Sequence, residues 1–452
     1  MTAKAKQNLT KELKALLQAK DHAAIEGFLS TLHASDIGGM LNALNEADAA
    51  EVFGCLTTER ASEVLLEVDE RLRKALISSI TPSELIEVVD EMETDDAADV
   101  ISGLPAEDAR QVLDGIDKRE SIEVQKLLVY PEDTAGGKMR AELVSVWDGA
   151  TVDEAIAELR RKGREMEDIS HVFVVDPRGR LTGSVTLNRL ILAAPDAPIA
   201  SIAEKDPVSV RTDMDQEEVG KLFRRLDLLS VPVVDAEGRL VGTITVDDVV
   251  DVIEEEIFED FYKMAGLNIE ERVLEPARRS IWMRLPWLLV NLATAFLAAS
   301  VVKVFEGTIE KLVVLAVLMP IVAGMGGNAA TQTITVIVRG LALGELALKN
   351  AKRVLIKEAT VGLANGVLTG AVAALIAYLI GAKLIVGLLL FLAMSANLLI
   401  AGLSGAFIPF VLKWFKVDPA ISSSIFVTTC TDIGGFFTFL GLATVFMRMG
   451  LL

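Results

Sequence analysis

Residues 318–340 read LMPIVAGMGGNAATQTITVIVRG, and residues 426–443 read FVTTCTDIGGFFTFLGLA. Both stretches are apolar over about the 20 residues that a helix needs to cross a bilayer. The second contains Asp432, and a charged side chain at the centre of a bilayer costs about 2.5–3.5 kcal/mol or more. We therefore expect Asp432 to face a wet cavity and to mark an ion path. The alternative is that Thr428 or Thr429, one turn earlier, donates a hydrogen bond to its carboxylate.

The first stretch combines helix-disrupting residues with polar ones. Pro320 and the glycines at 324, 326 and 327 are expected to break or thin the helix at mid-membrane, and Asn328, Thr331 and Gln332 supply uncharged oxygens. Backbone groups freed in this way are tolerated only against protein or water, which indicates a pore. The alternative is that the small residues allow close helix packing.

Five apolar runs are long enough to span a bilayer. The loops before the first run, between the second and third, and between the fourth and fifth hold most of the Lys and Arg of this half. By the positive-inside rule these loops are cytoplasmic, so we predict a multi-pass protein of the cytoplasmic (inner) membrane with its N-terminus cytoplasmic and its C-terminus outside. The predicted spans are 282–303, 312–338, 355–380, 384–412 and 420–446.

Charge and composition exclude several classes of protein. The formal charge of −20 divides into −26 for the first 280 residues and +6 for the rest, so a basic nucleic-acid binder is excluded. The three histidines, His22, His33 and His171, all lie in the first half, which excludes an intramembrane enzyme of the His-Glu or Ser-His type. A channel or transporter remains. A carboxylate with hydroxyl and amide oxygens suits a hard cation such as Mg²⁺.

The acidic half is predicted to contain two kinds of fold. Residues 1–130 show apolar positions at helical spacing, and ADAAEVFGCLTTERASEVLLEVD (47–69) resembles TDDAADVISGLPAEDARQVLDGID (94–117), which predicts stacked helical repeats with a scaffold role. Further on, HVFVVDPRGRLTGSVTLNRLI (171–191) matches SVPVVDAEGRLVGTITVDDVV (230–250) at an offset of 59. Two such copies resemble a tandem CBS pair, a regulatory α/β module.

The membrane motifs, with the following LALGE and DPAISSSIFVTTCTDIGGFFTFLGLAT, resemble the MgtE family of magnesium channels over nearly the whole chain. The resemblance implies a homodimer in membrane lipid, with a pore lined by the second and fifth spans and with Asp432 and Asn328 contacting hydrated Mg²⁺. The expected fold is therefore a multidomain membrane protein. Its parts are a helical-repeat domain (1–130), a CBS pair (131–253), a connecting or plug helix (254–277) and a five-span pore domain (278–452).

A run of acids precedes the first span. In VDDVVDVIEEEIFEDFYKMAG (246–266), Asp248, Asp251, Glu255 and Glu259 share one helix face and repel one another. A solvated acidic surface is the alternative. The resemblance implies that intracellular Mg²⁺ binds these acids and closes the pore, so that Mg²⁺ is both transported and regulatory. The implied regulatory ligands are Asp215, Glu217, Asp227, Asp248, Asp251, Glu256, Glu259, Asp260 and Asp418.

Two other functions and one ligand have to be weighed. A secondary carrier that couples Mg²⁺ or Co²⁺ to Na⁺ or H⁺ could use the same Asp432, and a pure membrane sensor would conduct nothing. Some members of the family bind ATP through an Arg-Asp pair after the second strand of the first CBS copy. This chain has Asn188 and Arg189 there, which argues against ATP binding.

Overall fold

The computed structural model describes residues 3–163, 166, 169–268, 271, 273, 276–346, 348–421 and 423–452. By its internal contacts the chain divides into two units, Met1–Val252 and Ile253–Leu452.

Ten short helices form the first part of the first unit, as the repeats predict. Most begin at a residue whose side chain accepts a backbone N–H, such as Asn45, Thr57 and Asp69. From α3 onward each helix packs mainly on a next-but-one neighbour, as in a superhelical stack, whereas α1 and α2 pack mainly on each other. The helices are α1 Ala3–Ala19, α2 His22–Leu29, α3 Ala34–Leu41, α4 Glu46–Phe53, α5 Thr58–Glu67, α6 Glu70–Ser79, α7 Pro82–Asp90, α8 Thr94–Ser102, α9 Ala106–Gly115 and α10 Lys118–Leu127.

Two small sheets with their helices come next, and the two long strands of each, with the helix that follows them, repeat at the predicted offset of 59. In the first, β1 pairs in parallel with β2, and β2 and β3 are antiparallel; in the second, β5, β6 and β7 pair in the same way. The strands are β1 Ser145–Trp147, β2 His171–Val175, β3 Leu181–Thr186, β4 Glu204–Lys205, β5 Val210–Arg211, β6 Ser230–Val234 and β7 Leu240–Thr245. The helices are α11 Val152–Lys162, α12 Leu187–Leu192, α13 Ile199–Ile202, α14 Gln216–Leu226 and α15 Val246–Met264.

The turn between the two long strands of each copy has the predicted Asp-x-x-Gly form. The Asp176 carboxylate accepts hydrogen bonds from the N–H groups of Arg178 and Arg180, and Gly179 takes a φ of +77°. Asp235 and Gly238, 59 residues later, have the same roles. The tight reversal needs a residue that tolerates positive φ, which explains the glycine.

A segment of irregular backbone joins the helical stack to the second sheet. The backbone of Arg140 exchanges two hydrogen bonds with Thr243 in β7, and Ala135 N–H donates to the carbonyl of Met214. The Arg140 side chain is buried and forms an ion pair with Glu93, which precedes α8. Because the Arg140 guanidinium would be left buried without this partner, the contact stabilises the packing of the stack against the CBS copies.

Among the described residues of the second unit, five helices are long and apolar enough to cross a membrane, which confirms the five predicted spans. The long helices are α16 Ala277–Val304, α18 Val314–Ala342, α19 Ala351–Leu379, α20 Leu384–Trp414 and α21 Ser423–Arg448, with a short α17 Glu306–Lys311 between the first two. The prediction of a break near Pro320 is wrong, because α18 is continuous through it. The proline removes one backbone donor, and packing against neighbouring helices maintains the helical backbone.

Glycines allow α20 to pack closely against its neighbouring helices. A Cβ at Gly366 of α19 would stand 2.7 Å from Cα of Ser395, and one at Gly402 of α20 would stand 2.5 Å from the carbonyl oxygen of Glu358. A Cβ at Gly405 would meet Thr333 of α18 at 2.9 Å. These helices therefore use small residues for close packing. Of the glycines of α18 at 324, 326 and 327, only Gly326 has such a close contact, since a Cβ at Gly324 would have nothing within 4 Å and one at Gly327 would meet only Thr428 at 3.9 Å.

We predict that Gly366→Ala destabilises the membrane unit by about 1–3 kcal/mol, because the added methyl group meets backbone that cannot move aside. The measurement is the thermal midpoint of the purified protein in detergent, followed by size-exclusion chromatography. Gly307→Ala in α17 is the matched control, since a Cβ there has nothing within 4 Å. Equal midpoints for both variants would contradict the proposed role of Gly366.

Candidate functional site

Asp432 lies in the middle of α21, which packs against α16, α18 and α20. It shares a stripe with Thr428 and Gly435, at i−4 and i+3, and a Cβ on Gly327 of α18 would lie 3.9 Å from the Thr428 methyl group. The hydroxyls of Thr428 and Thr429 donate to the backbone carbonyl of Ile425, so neither stabilises the Asp432 carboxylate. Within the described part of the chain, no hydrogen bond or ion pair engages this half-buried carboxylate.

A polar stripe runs along one face of α18. Asn328, Thr331, Gln332 and Thr335 follow the i, i+3, i+4, i+7 spacing of one helix face, and all four are exposed in the single chain. The two threonine hydroxyls donate to carbonyls of their own helix, at 3.0 Å for Thr331 and 2.9 Å for Thr335. Amides on a membrane helix require water or a polar partner, so this face does not suit lipid.

The end of α15 contacts the loop before α21. The Lys263 ammonium lies 2.7 Å from Oδ2 of Asp418 and also pairs with Glu259, while Ser424 Oγ donates to the carbonyl of Met264 at 2.7 Å. Burial alone would lower the pKa of Lys263, but the two carboxylates outweigh it and raise that pKa. The ammonium is therefore charged at neutral pH and holds two of the predicted regulatory acids together.

A cavity of about 260 Å³ opens next to this contact. Gly266 and Arg284 lie on its wall, and it extends to Thr428, one turn before Asp432. The cavity thus connects the end of α15 with the turn that precedes Asp432.

Asp248, at the start of α15, belongs to a cluster of acids in the first unit. Its carboxylate accepts a hydrogen bond from Thr245 Oγ1 at 2.7 Å. Burial and the charge of Asp248 raise the pKa of Asp96 to about 7 and raise the pKa of Asp95 well above its ordinary value. Oδ1 of Asp95 is buried without a hydrogen-bond partner. The cluster is thus short of positive charge, because Arg140 is engaged by Glu93.

The other predicted ligands lie in several places. Asp215 accepts the N–H of Glu217 at the start of α14, and Glu217 pairs with Lys221 at 3.0 Å. Asp227 lies at the opposite end of that 11-residue helix, roughly 16 Å away, in a left-handed conformation with a φ of 52°. One chain therefore does not bring Asp227 to Asp215 and Glu217.

The remaining predicted residues lie along α15. Asp251 is close enough to Glu67 of α5 to raise the pKa of that carboxyl, after the larger effect of burial. Glu256 and Asp260 are half-buried on the later turns of the helix. In the described ranges no three His, Cys, Asp or Glu side chains stand close enough to form a metal centre.

The sequence analysis missed Glu93, Asp95 and Asp96. They lie at the start of α8, in the second of the two repeats that it compared. The signal was present there, because residues 93–99 read ETDDAAD where residues 45–51 of the first copy read NEADAAE, so one acid is extra. What the sequence does not show is that this end of α8 is buried against Arg140 and Asp248.

Sequence profiles of known families cover most of the chain. The MgtE family described as "Divalent cation transporter" matches residues 319–442, and the "MgtE intracellular N domain" matches residues 32–133. The CBS domain matches residues 135–196 and 199–255. These matches confirm the expected fold class of helical domain, CBS pair and membrane helices.

Curated relatives match over nearly their whole length. The magnesium transporter MgtE of Thermus thermophilus is 35% identical and that of Enterococcus faecalis 34%, each alignment covering 98% of this chain and 99% and 98% of the relative. A crystal structure of the cytosolic domain of the Mg²⁺ channel MgtE in complex with ATP is 38% identical, with a TM-score of 0.51, covering 54% of this chain and 99% of that one. A second structure, the soluble part of a magnesium transporter, is 29% identical, with a TM-score of 0.50, covering 56% of this chain and 99% of that one.

The similarity thus extends through both units and includes the helices that carry Asn328 and Asp432. With the five membrane helices and the CBS copies already described, it assigns the protein: the chain belongs to the MgtE family of magnesium transporters.

Proposed function

We propose that this multi-pass magnesium transporter is a homodimeric channel of the cytoplasmic membrane, closed by intracellular Mg²⁺. The observation that carries the proposal is the polar stripe of α18, exposed in one chain, together with the Asp432 carboxylate of α21, which has no partner among the described residues. A membrane helix cannot leave Asn328 and Gln332 against lipid without cost. A second copy that faces this stripe across a two-fold axis encloses it in a wet pore.

The chemistry of the pore matches hydrated Mg²⁺. This ion loses its waters reluctantly and usually binds through one or two carboxylates. Two copies of Asp432 offset the double charge of Mg²⁺. The amide of Asn328 and the hydroxyl of Thr331 form hydrogen bonds with the waters bound to the ion. Selectivity then follows from pore width and charge, and no dehydrated metal centre is needed.

Closure is proposed to follow from the acids of the soluble region and the connecting helix. Without Mg²⁺, Asp95, Asp96 and Asp248 repel one another across the contact between the helical stack and α15. A divalent ion removes the repulsion only in the arrangement that brings the acids together, so it shifts the population toward that arrangement. Asp251, Glu256 and Asp260 of α15, with Asp215, Glu217 and Asp227 of the second CBS copy, are proposed as further weak ligands. These acids can bind one ion together only if two chains contribute them or if the chain adopts a closed arrangement.

The route from sensor to pore is proposed to run through the end of α15. Its last turn is fixed to Asp418 and Ser424, at the start of the helix that carries Asp432. A shift of α15 is therefore transmitted to α21. This route requires the acidic half, with the proposed parts 1–130, 131–253 and 254–277, to be cytoplasmic, and the C-terminus to be outside. We propose no role for ATP in the mechanism, because Asn188 and Arg189 follow the first residue of α12 where an Arg-Asp pair is expected.

We predict that Asp432→Asn lowers Mg²⁺ flux by about tenfold or more, since the isosteric amide keeps the packing and removes the charge that attracts the ion. Asn328→Ala should have a smaller effect, because a neutral amide holds only a water of the hydration shell. Flux into proteoliposomes without a sodium or proton gradient is the measurement, with Glu310→Gln in exposed α17 as control. Wild-type flux in Asp432→Asn would refute the pore assignment, and flux that requires a gradient would indicate a carrier.

The acidic cluster predicts a dependence on pH with a definite sign. The pKa of Asp96 is about 7 in the folded protein, so its charge destabilises the fold and that loss grows as pH rises from about 4 to 7. A fragment of residues 1–264 should therefore be more stable at pH 5 than at pH 8 by about 1–3 kcal/mol, and Mg²⁺ should restore stability mainly at pH 8. Thermal unfolding followed by circular dichroism measures both effects.

Asp96→Asn should raise the stability at pH 8 and reduce both effects. Asp48→Asn is the matched control, because Asp48 occupies the equivalent place in the first repeat and bonds to Asn45 instead. A wild-type pH dependence in Asp96→Asn would contradict the role given to this carboxyl.

Lys263 provides a test of closure. Its ammonium already bridges Glu259 and Asp418, so a magnesium ion that binds these acids must displace it. Lys263→Gln should lower the internal Mg²⁺ concentration for half-inhibition by about two- to fivefold, the scale of a partly exposed ion pair. Lys263→Arg should resemble wild type, as should Lys349→Gln in a different loop. The measurement is patch recording with the Mg²⁺ concentration varied on the cytoplasmic side. Weaker inhibition in Lys263→Gln would refute the proposal that Lys263 competes with Mg²⁺ for these acids.

A further inference from the structure

Asn397 is a polar side chain at the centre of the membrane unit that the proposed mechanism does not use. It lies in α20 and has no solvent exposure. Its Nδ2 donates to the carbonyl of Val322 in α18 at 2.8 Å, and its Oδ1 is buried without a partner. Because only the amide nitrogen can donate to a carbonyl, the hydrogen bond fixes which way the amide points.

Two glycines on different helices hold this amide between them. A Cβ built on Gly435 of α21 would stand 2.7 Å from Nδ2 and 3.0 Å from Oδ1 of Asn397, and one built on Gly326 of α18 would also collide with the amide. Contacts this short mean that neither position accepts even a methyl group unless Asn397 moves. The amide therefore sets the spacing between α18 and α21.

Asp432 lies three residues before Gly435, about 60° around the same helix. Asn328 lies two residues after Gly326 on α18. A change in the spacing of the two helices at Asn397 therefore moves the carboxylate and the amide that the proposed pore presents to the ion. A packing role alone does not explain a polar residue here, because an apolar side chain of similar size would leave no unpaired oxygen.

We propose that Asn397 is a positioning residue for ion selection: wedged between Gly326 and Gly435 and bonded to the Val322 carbonyl, it fixes the distance between α18 and α21 and thereby the pore width at Asp432. This inference rests on the proposed function of Asp432. Divalent ions that differ in hydration respond differently to pore width, so the property it controls is the ratio of their fluxes.

Asn397→Leu and Asn397→Ala should change the Mg²⁺ to Co²⁺ flux ratio in proteoliposomes by about threefold or more. A residue that served only stability would lower the thermal midpoint and leave this ratio unchanged. Gly435→Ala should change the ratio as well, because its methyl group displaces the amide, whereas Gly441→Ala on the same helix should not, since a Cβ there meets only the Phe305 ring at 3.9 Å.

The decisive comparison is a double-mutant cycle. Once Asn397 is alanine, Gly435→Ala has no amide to displace, so the double variant should match Asn397→Ala alone. Additive effects, or a wild-type flux ratio in folded Asn397→Leu and in Gly435→Ala, would overturn the proposal. If Asn397→Leu does not fold, the Gly435→Ala comparison still decides. The Mg²⁺ flux of Asp432→Asn is measured in parallel. If Asp432→Asn loses flux but the Asn397 variants keep the wild-type flux ratio, only the positioning role is refuted. If Asp432→Asn retains flux, the pore assignment itself is refuted.

Discussion

The packing of the membrane unit depends on contacts between helix backbones. Such contacts are possible only at glycines, which have no side chain. Helix α20 lies at the centre of these contacts, against α19 at Gly366 and Gly402 and against α18 at Gly405. Without a hydrophobic driving force in lipid, association of helices relies on such packing and on hydrogen bonds between helices. The positions of α18 and α21, which carry the polar residues of the proposed pore, follow from how closely they approach α20.

Electrostatics has a comparable role in the first unit. Its helices and strands bury ordinary apolar cores, but the contact between α8, the segment around Arg140 and the start of α15 is largely acidic. A protein of marginal stability is expected to keep such a destabilising contact only if the variable stability of the contact serves a function. An interface whose free energy depends on the charge of a few carboxyls is suited to respond to a small cation.

Much of this architecture could be predicted from the sequence. Hydropathy and length gave the five membrane helices, and the offset of 59 gave the paired strands and their Asp-x-x-Gly turns, because these features follow from local chemistry. The continuity of α18 through Pro320 could not be predicted, since it depends on neighbouring helices. Asp95, Asp96 and Asn397 were missed for the same reason, because burial by distant segments gives them their chemistry. The assignments of Asp432 and the regulatory acids remain proposals that rest on family resemblance and on exposure.

The two CBS copies share the pairing of their long strands and differ in the length of the helix after the last strand. In the first copy this helix, α12, has 6 residues, whereas in the second copy α15 has 19 and ends where Met264 accepts a hydrogen bond from Ser424. The two copies thus differ most in this terminal helix. In the mechanism proposed above, the additional turns of α15 make one of two similar modules a mechanical link to the helix that carries Asp432.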